Sequence, residues 1–545
     1  MRQARLVGLL LAAVAGPLGA QATLVARLDS IFGQFSQPDA PGCALGVARD
    51  GRMLLERAWG SADLERHIAN TPATIFEAGS VSKQFTATAI LLLVRDGRLS
   101  LDDDVRRWIP ELPNYGSPVT LRHLLHHTSG FRDWGSVSGI AGWPRNTRAL
   151  NHAHVLAIIS RVRELNFPPG TEYDYSNTNY NLLAMVVERA SGTPFPAFTR
   201  DRLFAPLGMT STSWRDDAMR LVPNRALSYS SAAGRWRGER AIENIFGNCC
   251  LLTTVGDLLK WNAAFDSTRL GGSGLREAQE RRGVLTNGRQ ITYAAGLNVG
   301  VYRGQPYVAH SGATSGYRAY AVRYPAAALS VAVLCNAGTA DPESLGDAVA
   351  AQLIDFDSIA PPARPARVSV APDAIADKPG LYRNRRTMRA QRFVVRDGRL
   401  QTEGGIELIP QSPTVFAAAT GGNRVHFDRR RGRNGHYNLR LVTPANDTVP
   451  ADFVEEADTS RAALAALVGT YYSEEADATL TVEADSTGAL ILRRAPDARS
   501  RLQPRYRDGF ESLAGMLVFA RDAGGRVTRM LLTAPRVRNL RFRRM

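Results

Sequence analysis

The residues of this chain most able to do chemistry together are Ser80 and Lys83. A serine hydroxyl needs a base to become a nucleophile, and a lysine can be that base once burial or a nearby cation removes its proton. A helix is predicted from Ser80 to Asp96, and positions i and i+3 share one helix face, so the two groups can meet. The chain has 67 basic residues but only three lysines, and an arginine could not release its proton. The alternative is a serine that caps the helix beside an incidental lysine.

Two further segments carry polar side chains beside predicted elements. Tyr175 and Asn177 stand one residue apart just before a helix predicted over residues 179–190, and His310 stands two residues before Gly312 at the end of a predicted strand. Taken alone, the first segment is typical of a turn closed by Asn and Ser side chains, and the second of a packed surface histidine. Neither segment predicts catalysis without the serine and lysine pair.

In chain order, the serine–lysine, tyrosine–asparagine and histidine–glycine segments resemble the three motifs of the penicillin-recognising serine hydrolases. This group includes class C β-lactamases, D,D-carboxypeptidases, D-aminopeptidases and related esterases. Gly97–Asp103, Leu124–Gly130 and Leu252–Leu258 fit the same resemblance, which covers about residues 24–356. The resemblance implies an α/β catalytic domain of the β-lactamase/transpeptidase type, in which helices flank an antiparallel sheet and a helical region is added.

The resemblance also implies a role for each motif residue. Ser80 is the nucleophile that becomes acylated, and Lys83 and Tyr175 share the removal of its proton. Tyr175 then returns a proton to the leaving group, and Asn177 holds the amide or acyl side chain of the substrate. Water finally hydrolyses the acyl-enzyme, and neither a metal nor another cofactor takes part.

The third motif supplies groups along a strand edge. The backbone N–H groups of Ser80 and Ala313 are expected to form the oxyanion hole, and Gly312 lets the substrate approach closely. His310 belongs to the third catalytic motif. At the same position many β-lactamases and carboxypeptidases have a lysine, which attracts a substrate carboxylate. A histidine with an ordinary pKa is mostly neutral at pH 7. This difference favours substrates without a carboxylate there, such as N-terminal D-residue amides or esters.

The C-terminal third of the chain has a sequence pattern that is typical of an all-β protein. A Pro- and Ala-rich linker precedes short alternating strands with Gly, Asn and Asp turns. Gly380-Leu-Tyr382 and Gly469-Thr-Tyr471 open two similar stretches 89 residues apart, which predicts two barrel-like units. Such units beside a His-x-Gly motif resemble the D-aminopeptidases in particular. The predicted parts are a signal peptide (1–22), a catalytic domain (23–357), a linker (358–372) and two β units (373–455 and 463–545).

The N-terminus is typical of a cleaved secretory signal. Arg2 and Arg5 precede an apolar stretch, Leu6–Ala15, that is too short to span a bilayer, and small residues at positions 20–22 offer a cleavage site. No later stretch resembles a transmembrane anchor. The sequence therefore predicts a periplasmic or secreted protein.

The four cysteines are too few for a disulfide scaffold in a chain of 545 residues. In the resembled fold, the strands of Cys43 and Cys335 are antiparallel neighbours, so these two cysteines are expected to lie near each other, and whether they are bridged stays open. A bridge between the adjacent Cys249 and Cys250 is disfavoured because its geometry is strained.

Other charged and metal-ligating residues give weaker signals. The net charge is +16, yet the arginines are scattered along strand-like segments without a nucleic-acid motif, so no nucleic-acid partner is predicted. The basic run at residues 428–433 is typical of a solvated hairpin turn. His123, His126 and His127 superficially suggest a metal site, but no carboxylate–histidine spacing supports zinc.

Taken together, the sequence predicts an exported serine hydrolase that acts through acyl-Ser80 on amide or peptide bonds of D-residue-containing peptides, in the manner of a D-aminopeptidase. The partner is a small peptide, amide or ester substrate. An esterase with the same machinery, a β-lactamase or D,D-carboxypeptidase, and a non-catalytic sensor or binding protein remain alternatives. The sequence leaves the scissile bond, its stereochemistry and the oligomeric state open.

Overall fold

The computed structural model describes residues 17–145, 147–265, 269–270, 272–358, 364–428, 430 and 435–545. Most of the predicted signal peptide, residues 359–363 of the predicted linker and most of the basic run at 428–433 lie outside the described residues. No helix among the described residues is long and apolar enough to cross a membrane.

The predicted catalytic domain (residues 23–357), called the catalytic part below, is built on a six-stranded antiparallel sheet. Its strands and the smaller ones around it are β1 (Cys43–Arg49), β2 (Arg52–Trp59), β3 (Ser61–Asp63), β4 (Ile68–Ala69), β5 (Phe76–Glu77), β6 (Ser213–Trp214), β7 (Ser228–Ala232), β8 (Arg235–Glu239), β9 (Leu251–Thr253), β10 (Asn298–Tyr302), β11 (Gln305–Thr314), β12 (Tyr317–Tyr324) and β13 (Leu329–Cys335). The order in the main sheet is β10-β11-β12-β13-β1-β2. Strands β1, β12 and β13 are buried along nearly their whole length because apolar clusters cover both faces of the sheet.

The helices of this part pack on the two sheet faces and form a helical region beside them. They are α1 (Pro17–Ile31), α2 (Lys83–Arg95), α3 (Leu121–Leu125), α4 (Trp134–Ile140), α5 (His152–Arg161), α6 (Asn177–Ser191), α7 (Phe195–Thr199), α8 (Val255–Ala264), α9 (Ser273–Glu280) and α10 (Pro342–Ala350). Helix α2 is buried at every position from Lys83 to Leu93, as its almost unbroken apolar sequence predicts, and it packs against α6 and α9. A central helix of this kind holds its first turn rigidly.

Most predicted elements of this part are confirmed. The pair Asp50-Gly51 is typical of a hairpin turn, and it joins β1 to β2 with both residues at positive φ. The strand predicted before Gly312 belongs to β11, the first of three consecutive strands from 305 to 335. The sequence also predicts a last helix of this part over residues 345–356, and these bounds are wrong. Helix α10 starts earlier because Asp341 caps it by accepting a hydrogen bond from Ser344 N, and it ends at Ala350 because the next residues fold into turns.

Both pairs of cysteines are bridged. Cys43 and Cys335 are register partners on β1 and β13, so their expected proximity is confirmed, and their Cα atoms lie 4.0 Å apart. The expectation that Cys249 and Cys250 would not bridge is wrong, because the structure joins them. The backbone of Cys250 has a φ of 78°, a conformation that L-residues rarely adopt and that belongs to this bridged turn.

The C-terminal third forms two separate antiparallel sheets that are nearly closed. The first has the order β16-β15-β14-β21-β20-β19-β18-β17, and an isolated bridge between Gln401 and Glu407 links its two edges. The second has the order β25-β24-β23-β22-β30-β29-β28-β27-β26. Their elements are α11 (Asp373–Ala376), β14 (Gly380–Asn384), β15 (Ala390–Arg396), β16 (Arg399–Thr402), β17 (Leu408–Pro410), β18 (Val415–Ala418), β19 (Arg424–Phe427), β20 (Leu439–Val442), β21 (Thr448–Val454), α12 (Arg461–Ala465), β22 (Gly469–Ser473), β23 (Ala478–Ala484), β24 (Leu490–Arg494), β25 (Ala498–Arg501), β26 (Gln503–Tyr506), β27 (Gly509–Ser512), β28 (Gly515–Arg521), β29 (Val527–Ala534) and β30 (Val537–Arg544).

The duplication expected from the sequence is visible in local structure. In each unit a short helix precedes the first strand, and the first strand pairs with the last. The tyrosine of each opening tripeptide is buried, and its hydroxyl donates to the carbonyl four residues earlier: Tyr382 to Lys378 O and Tyr471 to Leu467 O. The same local hydrogen bond anchors the start of both units.

The second β unit is packed against the catalytic part. Val137 and Ile140 of α4 belong to the same apolar cluster as the core of that unit. Arg132, which is buried, pairs with Glu475, and Arg494 Nη1 donates to Gly139 O over 2.7 Å. The unit therefore shares a core with the wall of the catalytic part.

The bridge between Cys43 and Cys335 generates a stability prediction. Replacing both residues by serine should lower the free energy of unfolding by about 2–4 kcal/mol, because the bridge closes a loop with a sequence separation of 292 residues and so restricts the unfolded chain. The measurement is denaturant unfolding of the purified variant. The double serine variant of Cys249 and Cys250 is the matched control, since that pair closes no loop. An equal decrease in the free energy of unfolding of the two double variants would contradict the prediction.

Candidate active site

Ser80 lies in the 3-10 turn Gly79–Ser82, which leads directly into α2. Two glycines let strand β11 lie against this turn. A Cβ atom on Gly79, which has a φ of 52°, would come within 2.6 Å of Ala313 N, and one on Gly312 would come within 2.1 Å of Ala78 O and 2.9 Å of Ser80 N. The backbone N–H groups of Ser80 and Ala313 therefore lie on segments in direct contact, at a helix start that favours negative charge.

The amine of Lys83 is fully buried and contacts three oxygen atoms. Its Nζ lies 3.0 Å from Ser80 Oγ, 2.9 Å from Asn177 Oδ1 and 2.6 Å from the Asn248 carbonyl oxygen. The amide and carbonyl oxygens can only accept hydrogen bonds, so they take two N–H groups of the amine. In a neutral amine the remaining lone pair then faces the Ser80 hydroxyl, which is the geometry of a base beside a nucleophile.

Charge around the amine also favours its neutral form. Burial lowers the pKa of Lys83 well below its ordinary value, and the nearby cations Arg536 and Arg145 lower it further, while Asp133 opposes them. Asp133 is itself held in place, because its Oδ2 accepts a hydrogen bond of 2.7 Å from Asn177 N. Burial and the neighbouring cations therefore favour the neutral form of Lys83, which is the form that a base requires.

The sequence predicts Tyr175 and Asn177 just before a helix, and the structure places Tyr175 two residues before α6 and Asn177 at its first position. Asn177 is the first helical residue and reaches Lys83, whereas the ring of Tyr175 packs 4.8 Å from Lys83 Nζ. The Tyr175 hydroxyl is buried and has no hydrogen-bond partner among the described residues. Burial raises the pKa of this phenol, and the neighbouring Ser80 hydroxyl opposes the rise. The hydroxyl thus keeps its proton beside the Ser80 hydroxyl and can donate a hydrogen bond to a substrate atom.

His310 is buried on β11 and is held as a neutral ring. Its Nδ1 lies 2.6 Å from the carbonyl oxygen of Ser311, which can only accept, so Nδ1 carries the hydrogen and Nε2 accepts from the Tyr293 hydroxyl over 2.9 Å. Burial, followed by the charge of Lys83, lowers the pKa of His310 to about 3. The residue expected to be mostly neutral at pH 7 is therefore uncharged over a much wider range.

An aromatic group that the sequence did not indicate surrounds these residues. The buried ring of His127 lies 4.2 Å from that of Tyr175, and its Nδ1 accepts from Ser176 N over 3.2 Å. Tyr293 packs against His127 and His310. In the sequence His127 stands out only as part of a histidine cluster, and Tyr293 lies in a segment with no motif, so no local signal marks it.

Ser80, Tyr175 and His310 line an open cavity with a volume of about 580 Å³. Three arginines also line it: Arg145, Arg318 and Arg536. Arg536 comes from the turn between β29 and β30 in the second β unit, a position that no spacing argument could connect with Ser80. The carboxylates of Asp341 and Glu343 line the same cavity from the start of α10.

One cluster among the described residues has the ligand types of a metal site, namely Glu77 with Cys249 and Cys250. The two sulfur atoms are joined in a disulfide, and the Glu77 carboxylate is buried against Arg215 and within 3.4 Å of Arg225. Coulombic attraction to these arginines lowers the pKa of Glu77 against the opposing effect of burial. The cluster's ligand atoms are therefore already engaged.

Comparison with known families and curated proteins shows which proteins the catalytic part resembles. A family model described as Beta-lactamase matches residues 28–355. A D-aminopeptidase from Gluconobacter oxydans (strain 621H) is 31% identical over 299 residues, which is 54% of this chain and 56% of that protein. The chain thus spans about half the length of the curated relatives that it matches.

Solved structures extend the likeness in fold. The octameric penicillin-binding protein homologue from Pyrococcus abyssi has a TM-score of 0.55 at 22% identity, over 79% of this chain and 100% of that chain. A structure titled SurE has a TM-score of 0.52 at 20% identity, over 97% of this chain and 100% of that chain. The predicted fold class, a β-lactamase/transpeptidase-like domain followed by two barrel-like β units, is confirmed.

The buried amine generates a prediction for Lys83→Arg. This variant should lose about 10²–10⁴-fold in kcat, because a guanidinium stays protonated and cannot act as a base. The control is Lys260→Arg, since Lys260 is half exposed and pairs with Asp257 away from the cavity. The measurement is kcat from steady-state kinetics on any substrate that the wild type cleaves. A kcat of Lys83→Arg within threefold of the wild-type value would exclude Lys83 as the base.

The cations near Lys83 generate a pH prediction. Activity requires the neutral amine, so it should fall as the pH drops through the Lys83 pKa. Arg536 lowers this pKa, and Arg536→Gln should therefore raise it and move the acid limb of kcat/KM to higher pH. The profile is measured on an uncharged ester, with Arg529→Gln, an exposed arginine on β29, as control. An acid limb that stays in place, or moves to lower pH, would show that Arg536 does not act on Lys83.

Proposed function

The chain belongs to the Beta-lactamase family, and we propose that within it the protein is a D-aminopeptidase-like serine hydrolase that cleaves amide bonds of D-residue-containing peptides through an acyl-Ser80 intermediate. The observation that carries the proposal is the buried Lys83 amine, 3.0 Å from Ser80 Oγ, with its N–H groups engaged by two oxygen acceptors. Similarity to D-aminopeptidases supports the substrate class.

The first half of the reaction uses groups already in contact. Neutral Lys83 takes the proton of Ser80, and Oγ attacks the carbonyl carbon of the substrate. Negative charge develops on the carbonyl oxygen, where the N–H groups of Ser80 and Ala313 stabilise it; one such donor is worth about 3–4 kcal/mol of barrier. The collapse of this intermediate breaks the C–N bond and leaves the acyl group on Ser80.

Tyr175 completes both halves of the reaction. Its phenol donates a proton to the departing amine nitrogen and regains one from Lys83, whose Nζ lies 4.8 Å from the centre of its ring. A water molecule then enters, loses a proton to the same pair and attacks the acyl-enzyme, so that the acid product leaves and Ser80 recovers its hydrogen. Asn177 stays bonded to Lys83 and offers its amide group to the substrate.

The walls of the cavity favour an aminopeptidase-like substrate. His310 is neutral, so the third motif offers no cation to a carboxylate. Asp341 and Glu343, which are exposed at the start of α10, offer negative charge to a substrate amino group. Hydrogen bonds from Ser344 lower the pKa of Asp341, which keeps that carboxylate ionised.

Export of the protein is part of this proposal. The bridge between Cys43 and Cys335 fits an oxidising compartment, as does the signal peptide predicted for residues 1–22. We place the enzyme in the periplasm or outside the cell, with a catalytic domain at 23–357 and β units at 373–455 and 463–545.

The proposal is tested with four chromogenic substrates: D-alanine p-nitroanilide, its L-enantiomer, a short-chain p-nitrophenyl ester and a cephalosporin. Cleavage of the D-amide above the other three is the expected result, and Ser80→Ala should abolish it. Preference for the ester would favour an esterase, and preference for the cephalosporin a β-lactamase.

A covalent probe separates these enzymes from a sensor. A fluorophosphonate should label Ser80 and no other residue, as identified by mass spectrometry of the digested protein. Labelling of Ser80 without turnover of any of the four substrates would favour a sensor, and labelling elsewhere would remove Ser80 from the mechanism.

A further inference from the structure

Arg536 reaches the active site from outside the catalytic part. Strands β29 and β30 pair through Ala534 and Val537, so Pro535 and Arg536 form the tip of a tight hairpin, with Arg536 at a φ of 64°. The guanidinium carbon of Arg536 lies 4.8 Å from the centre of the Tyr175 ring. The second β unit therefore places a positive charge directly over the proposed proton donor.

Backbone contacts, rather than the side chain, hold this hairpin in place. The carbonyl oxygen of Arg536 accepts hydrogen bonds from Asp133 N over 3.1 Å and from Asn166 Nδ2 over 3.0 Å. Asn166 also accepts from Arg538 N over 2.8 Å. A change of the side chain at position 536 leaves all three hydrogen bonds possible.

The Arg536 guanidinium is also the least engaged cation of the cavity. Within the described part of the chain it donates no hydrogen bond, its nearest carboxylate oxygen is Asp133 Oδ2 at 4.0 Å, and its side chain is 40% exposed. Arg145 is paired with both oxygens of Glu243, and Arg318 donates to two backbone carbonyl oxygens. Lys83 is neutral in the active form. A ligand anion in the cavity would therefore find unused donors at Arg536.

We infer that Arg536 binds the carboxylate of the leaving group, so that the preferred substrates are short peptides whose leaving residue has a free C-terminal carboxylate. The inference rests on the proposed function, because it places the leaving group beside Tyr175. It also changes the expectation drawn from His310: the charge missing from the third motif is supplied by the second β unit. A planar guanidinium can hold a carboxylate through two parallel hydrogen bonds.

The test compares two peptides with the same scissile bond, D-Ala-D-Ala and its C-terminal amide. In the wild type, kcat/KM should be about 10-fold or more higher for the free acid, the size of one charge-assisted hydrogen bond. Arg536→Gln should bring this ratio near one, and Arg536→Lys should keep part of it. The ratio within one variant cancels any change in the basicity of Lys83. Arg529→Gln is the matched control and should keep the wild-type ratio.

A wild-type ratio near one, or a ratio that persists in Arg536→Gln, would overturn the inference. A second readout does not depend on turnover: protection of Ser80 from fluorophosphonate labelling by D-alanine compared with D-alaninamide. D-alanine should protect the wild type at least about 10-fold better, and Arg536→Gln should lose this difference. If neither peptide is cleaved but D-alanine still protects through Arg536, the proposed function fails and the anion site stands. If protection is equal for both compounds, the anion site fails as well.

Discussion

The burial of the Lys83 amine without a hydrogen-bonded carboxylate is the constraint on which the rest of the site depends. Burying an ammonium costs several kcal/mol in a protein interior, and a directly bonded carboxylate would be the usual compensation. Here the contacts are instead a serine hydroxyl, an amide oxygen and a carbonyl oxygen. Such a set suits a neutral amine. The nearby cations Arg536 and Arg145 act in the same direction, because each makes a protonated lysine less favourable.

A second constraint is the close approach of two backbones. Strand β11 and the turn that carries Ser80 belong to distant parts of the chain, and they touch only because Gly79 and Gly312 have no side chains. In the main sheet β11 lies two strands from β13, and β13 pairs with β1, so the start and the end of the catalytic part lie in the same sheet. Helix α2 and the turn before it position the proposed base and the Ser80 N–H, and the sheet positions the Ala313 N–H. Catalytic geometry therefore depends on how the helix packs on the sheet.

Short spacings in the sequence indicate some of the groups that the structure brings together in the cavity. Ser80 and Lys83 share a helix face, Tyr175 and Asn177 flank a helix start, and the resemblance of these motifs to the penicillin-recognising serine hydrolases is confirmed by the family match. Tyr293 and Arg536 could not be found in this way. Each reaches the cavity from a turn or loop whose sequence has no motif, and only the packing of separate units brings it there. The bridge of Cys249 to Cys250 depends on one unusual backbone angle, which residue type does not encode.

The second β unit packs against the catalytic part through both an apolar core and hydrogen bonds. Its core continues into α4 through Val137 and Ile140, and this helix starts one residue after Asp133, whose side chain orients Asn177 and whose N–H holds the Arg536 carbonyl. One residue thus links the substrate-side helix α6, the charge around Lys83 and the hairpin tip of the β unit. A rigid connection of this kind is what a charged side chain requires if it is to act on a particular atom of a substrate, since an error of about 1 Å in position can cost about 10²-fold in rate. The β unit is therefore better understood as one wall of the active site than as a separate binding module.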